Sequence, residues 1–134
     1  MNIEYKMSKY GSGFGDVFRR YRTCARARKH DFNLTHDEFY KLSKSNCFYC
    51  GIEPKQITHS RNGDNFIYNG IDRYNNNKGY SIENSVPCCA LCNKMKGVLS
   101  NEEFTSHISL ILETANKRNP MKDLRLFPQS RTPS

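Results

Sequence analysis

Residues 1–15 read as a polar, flexible lead-in, with Gly11, Gly13 and Gly15 spaced through its second half. From Asp16 to about His30 the pattern turns helical, placing Val17, Tyr21, Cys24, Ala25 and Arg28 on one stripe. Thr35-His36-Asp37-Glu38 matches a capping box and predicts a short helix with Phe39 and Leu42 inward. Residues 51–70 are rich in Gly, Asn, Ser and Pro and read as loop, except for a short strand over Phe66 to Tyr68 before an Asn69-Gly70 turn or bulge. Ile71 to Tyr74 reads as a second strand piece, and Asn75 to Gly79 as a polar loop. Ser85 to Cys88 is a third strand, where Pro87 suits an edge or an end because it cannot donate to a ladder. A helix should open within Cys89 to Asn93 and stop near Gly97. Ser100-Asn101-Glu102-Glu103 is a second capping box, opening a helix with Phe104, Ile108, Ile111, Leu112 and Ala115 on one face. Pro120 lies beyond its end, and residues 121–134 read as a loosely held tail. The fold class is α+β.

Composition adds two constraints. The chain has 134 residues, 37% of them hydrophobic and none of them Trp, so it can bury one modest core that needs help from something other than apolar area. Its net charge is +8 and its pI near 9.3, which favours a polyanionic partner, nucleic acid ahead of an anionic membrane. No run approaches the roughly 18 apolar residues of a membrane span, and the first residues lack the layout of a secretion signal. The expectation is a cytoplasmic chain with no membrane partner, in which the Asn33-Leu34-Thr35 sequon is chance. Arg19, Arg20, Arg22, Arg26, Arg28 and Lys29 crowd the first helix with no acid among them. That run is either a solvated face or a phosphate-facing one.

Six cysteines change the picture most. Cys47-Phe48-Tyr49-Cys50 and Cys89-Ala90-Leu91-Cys92 are two Cys-x-x-Cys knuckles, and two knuckles complete a four-sulfur tetrahedral zinc site. Disulfides or a redox pair are the weaker reading where thiols stay reduced. One structural Zn²⁺ per chain would supply the stabilisation that a thin core lacks. Cys24 and Cys88 are then expected to be small buried hydrophobes.

Between and across the knuckles runs Gly70-Ile71-Asp72-Arg73-Tyr74, then Asn84 ahead of Ser85 to Cys88, then Cys92-Asn93-Lys94-Met95-Lys96-Gly97. This combination resembles the HNH endonuclease family in its zinc-knuckle, phage-type form, closely over residues 47–97. The resemblance implies a ββα-metal core flanked by N-terminal and C-terminal helices, and hydrolysis of DNA phosphodiester bonds. It implies that Asp72 and Asn93 hold a catalytic Mg²⁺ or Mn²⁺ and that Asn84 pins the loop between the strands. Where most of the family has its catalytic His, this chain has Arg73. Arginine keeps its proton, with a pKa above about 12, so Arg73 can clamp a phosphate but cannot be the general base. His59 is the first candidate for the base, with Tyr68 and Tyr74 as competitors on the strands. Lys94 and Lys96 on the short helix are expected to touch phosphates.

The chain thus reads as a lead-in (1–15), a DNA-contacting extension (16–46), a zinc-bound core with a C-terminal helix (47–119) and a tail (120–134). The alternative to an enzyme is a non-catalytic DNA-binding zinc module on an HNH scaffold. An RNA-binding zinc protein is a third reading, although the chain lacks clustered aromatics of the stacking kind. One such site cuts one strand, so a double-strand break would need a homodimer or two binding events.

Overall fold

The computed structural model describes residues 8–119, and the expected tail and the first seven residues of the lead-in lie outside them. The chain divides into two compact units, the first ending at Val98 and the second beginning at Leu99.

In the first unit a single 3-10 turn, Ser8–Tyr10, precedes α1, Ser12–Ala27. The helix therefore starts four residues before Asp16, inside the stretch read as flexible. The glycines there serve close approach: a Cβ on Gly13 would lie 2.4 Å from the Asp64 carbonyl oxygen. Ser12 N also donates to Asp64 Oδ2 at 2.8 Å, which ties the start of α1 to the loop before β2. At the other end His30 N bonds back to Ala25 O at 2.8 Å, and Lys29 takes a left-handed φ of 62°. α2, His36–Ser43, opens on the expected box, with Thr35 Oγ1 accepting from Glu38 N and Glu38 Oε1 accepting from Thr35 N.

The core lies between α1, α2 and the strands. Phe14, Val17, Phe18, Leu34, Phe39, Phe66, Tyr68 and Ile71 form one buried cluster. Phe14 is its hinge point, meeting Phe39 and Phe66 edge-on at 6.0 and 5.4 Å between centroids. Each buried ring contributes roughly 1.5–3 kcal/mol against exposure.

Two antiparallel hairpins follow. β1, Gln56–Thr58, pairs with β2, Phe66–Tyr68, in the register Gln56 with Tyr68. β1 stands within a stretch read as loop; at three residues it is too short to show a period, and its one aliphatic, Ile57, is 50% exposed. β3, Gly70–Arg73, pairs with β4, Ser85–Cys88, placing Gly70 against Cys88 and Asp72 against Val86. Buried Asn69 joins the two hairpins to the end of α2, its N bonding Ser43 O at 2.8 Å and its Nδ2 bonding Ser45 O at 2.9 Å. Gly70 leaves room for Tyr21, whose hydroxyl accepts from Ile71 N at 3.1 Å; a Cβ there would lie 2.3 Å from that oxygen. α3, Ala90–Lys96, follows β4 directly and stops at Gly97, where φ is 54°. β3, β4 and α3 make a ββα unit.

The second unit is α4, Asn101–Arg118, opened by the reciprocal Ser100 and Glu103 box. Of its expected apolar face, Phe104 and Ala115 are buried, whereas Ile108 and Ile111 remain 36% and 52% exposed.

Candidate active site and metal centre

The two knuckles close on one point. The sulfurs of Cys47, Cys50, Cys89 and Cys92 all lie within 4.8 Å of one another. Zinc at about 2.3 Å from each sulfur would space them about 3.8 Å apart, and Cys50 and Cys89 already stand at 3.7 Å. Backbone N–H groups point at the sulfurs, from Cys89 to Cys47 Sγ and from Cys92 to Cys89 Sγ, both at 3.3 Å. Burial alone would raise the Cys47 thiol, but N–H donors from Cys50, Cys89 and Tyr49 outweigh it and bring it down to about 7. Burial pushes the Cys92 and Cys50 thiols the other way. A dication among the four offsets that cost, and four soft sulfurs fit zinc. Cys88 is buried as expected. Cys24 is not: it is exposed, because the stripe of α1 that meets the core runs through Phe14, Val17, Phe18 and Ala25.

A groove of about 530 Å³ runs beside the ββα unit. Asp72 and Arg73 reach it from β3, Asn93 from α3, Arg20 from α1, Arg28 from the cap that ends α1, and Tyr68 from β2. Asp72 is held on one side only. Its Oδ2 accepts from Tyr49 Oη at 2.7 Å and pairs with Lys96 Nζ at 3.2 Å. Burial and then the Asp72 carboxylate push the Tyr49 phenol up, so it stays a donor. Arg73 Nη1 donates to the carbonyls of Asn76 and Lys78 at 2.7 and 3.0 Å, and its guanidinium lies 5.9 Å from the Tyr80 ring centroid. Asn84 is buried and bonds both ends of the Asn75–Gly79 loop. Its Oδ1 accepts from Asn75 N at 2.8 Å, and its Nδ2 donates to Asn75 O at 3.1 Å and Gly79 O at 2.9 Å.

Several expected residues are elsewhere. His59 is exposed just past the end of β1 and is not among the groove's lining residues. Tyr74 is 38% exposed and packs edge-on against Phe48. Tyr68 does line the groove, with its hydroxyl accepting from Arg20 Nη2 at 2.8 Å. Lys96 corrects the expectation of a phosphate contact: it is 1% exposed and its ammonium faces Asp72. That contact is an ion pair without an aligned hydrogen bond, since the ammonium has no acceptor in hydrogen-bonding geometry among the described residues. Lys94 is exposed on α3. The basic residues of α1 also divide. Arg20 and Arg28 face the groove, Arg19 is paired with Asp16, Arg22 lies over the Phe18 ring, and Arg26 and Lys29 are exposed.

Sequence reasoning missed two groups and gave a third, Lys96, another role. His30, half-buried past the end of α1, lines the groove, and slight burial followed by the charges of Arg73 and Arg28 hold it below the usual imidazole value. Tyr49 had a signal, its place inside the first knuckle. Lys96 had one too: it stands four residues after Cys92, on the face of α3 that turns inward.

The groove's oxygens suit a different metal from the sulfurs. Asp72 Oδ1, which has no protein partner among the described residues, and the Asn93 amide oxygen are hard donors of the kind Mg²⁺ and Mn²⁺ take.

No family model matches the chain. An uncharacterised protein of Acanthamoeba polyphaga mimivirus is 40% identical over 96 residues, which is 72% of this chain and 16% of that protein. The chain thus spans a small part of that relative's length. Among solved structures, the rare-cutting HNH restriction endonuclease PacI is similar at a TM-score of 0.54 and 21% identity, over 79% of this chain and 81% of that one. The likeness is one of fold: an HNH-like α+β architecture with four cysteines placed to hold a metal ion. No helix among the described residues is long and apolar enough to cross a membrane.

Proposed function

We propose that the chain is a metal-dependent endonuclease that hydrolyses DNA phosphodiester bonds. The observation that carries this reading is the groove, which gathers an acid, an amide and an arginine from the ββα unit beside two arginines of α1 and a histidine. The HNH-like fold supports the same class. Asp72 and Asn93 would hold Mg²⁺ or Mn²⁺, which supplies Lewis-acid stabilisation of the scissile phosphate and its leaving 3′ oxygen. Arg73 has one nitrogen fixed by two loop carbonyls. It therefore offers its remaining N–H groups to a phosphate oxygen with little side-chain freedom left to lose. Asn84 keeps that loop closed, and Arg20 and Arg28 take flanking phosphates. His30, neutral near pH 7 because its pKa is held down, accepts the proton of the attacking water. Tyr68 is the second acceptor in the groove, and His59 and Tyr74 drop behind both. Zn²⁺ on the four cysteines holds the frame, and residues 16–46 serve as the DNA-contacting extension.

The test is nicking of supercoiled plasmid with Mg²⁺ or Mn²⁺, which Asp72→Ala should abolish while DNA binding remains. One observation favours a second reading, a DNA-binding module without activity: the Lys96 ammonium already neutralises the carboxylate that a cation would need. DNA binding with no nicking in either divalent cation would establish that reading.

A further inference from the structure

We infer that Tyr49 and Lys96 are positioning residues that clamp Asp72 Oδ2 and thereby turn Oδ1 to the divalent cation. The inference rests on the nuclease reading of the groove and deepens it. An aspartate carboxylate rotates in a broad, roughly two-fold well, so by itself it offers a cation either oxygen or both. Here Oδ2 is engaged twice, by Tyr49 Oη at 2.7 Å and by Lys96 Nζ at 3.2 Å, while Oδ1 has no protein partner among the described residues. Lys96 is 1% exposed, so its ammonium cannot trade the contact for water. The cation would therefore meet one defined oxygen.

The two clamp residues come from the two zinc knuckles. Tyr49 sits between Cys47 and Cys50. Lys96 ends the helix that Cys89 caps and Cys92 anchors. Phe48 N donates to Pro87 O at 2.8 Å, which fixes the first knuckle to the strand beside Asp72. The sulfur site thus sets the position of both partners, and through them the geometry of a metal ligand on another element. Such outer partners of a ligand typically change metal affinity 10–100-fold when removed.

Tyr49→Phe is the test variant, because it deletes one hydroxyl and keeps the ring. Mn²⁺ binding to the zinc-loaded 134-residue chain is followed by electron paramagnetic resonance, without DNA. The wild type should bind one Mn²⁺ in a way that Asp72→Ala abolishes. Tyr49→Phe should bind it about tenfold more weakly, with zinc content and metal-free DNA affinity unchanged. In plasmid nicking the same variant should need more Mn²⁺ for half-maximal rate and keep its rate at saturation. Equal Mn²⁺ affinity in Tyr49→Phe and wild type would overturn the clamp and leave the nuclease reading standing. A wild type without an Asp72-dependent Mn²⁺ site would overturn both.

Discussion

At the scale of single residues, the groove separates groups that the sequence treats alike. His30 and His59 are both loop histidines, and only His30 reaches the groove, because the left-handed turn at Lys29 brings the chain back against the end of α1. No local pattern announces that turn. His30 acts as a base only when neutral, and its pKa lies below the ordinary 6.5. Activity should therefore rise with pH through a limb below that value and be level above it. His30→Ala should remove the limb, whereas Arg73→Ala should lower turnover and keep the limb, moved toward higher pH because one charge that holds His30 down is gone. A limb on the alkaline side that disappears in Tyr68→Phe would give the proton to Tyr68. Lys96 makes a stability claim as well. Truncating it to Ala strands the Asp72 carboxylate near a buried face, at a cost of about 3 kcal/mol or more. Chemical denaturation of the zinc-loaded protein checks this, and a loss under about 1 kcal/mol would mean that water reaches Asp72 freely.

Among the elements, those with local signatures were legible. Both capping boxes are reciprocal in the structure, and β2, β3, β4 and α3 fall within a residue or so of where alternation, Pro87 and the knuckle place them. The start of α1 and the existence of β1 were not legible, for one reason: both are fixed by contacts distant in sequence, Gly13 against Asp64 and Gln56 against Tyr68. The charge run on α1 was visible as a run, but its division needed the fold. Arg20 and Arg28 turn to the groove, and Arg19 and Arg22 are spent on Asp16 and Phe18. Reversing Arg20 and Arg28 to Glu should flatten the log–log salt dependence of DNA binding by about one unit per lost phosphate contact. Reversing Arg19 and Arg22 should leave the slope nearly unchanged. Equal effects of the two pairs would show that the whole helix surface, and not the groove face, meets the phosphates.

For the molecule as a whole, a small aromatic core is supplemented by four cysteines placed to hold a metal ion. The four-cysteine cluster was the most legible feature, since paired Cys-x-x-Cys spacing dictates its own geometry, and the four sulfurs do converge. The purified protein should carry one zinc per chain. Chelation should collapse the first unit, read as loss of helical circular dichroism and of amide protection in β3 and β4. A metal-free protein that stays folded would contradict this. Asp72 and Asn93 stood out only through resemblance, because they have no spacing signature of their own and come to line one groove only in the fold. Whether this groove cuts DNA turns on Arg73, which stands where a proton acceptor is usual. The most direct measurement is nicking of supercoiled plasmid by the wild type beside Arg73→His, in Mg²⁺ and in Mn²⁺. The wild type should nick with either cation and have no need of the histidine. A wild type inert with both, beside an Arg73→His variant that cuts, would show a DNA-binding scaffold in place of an enzyme.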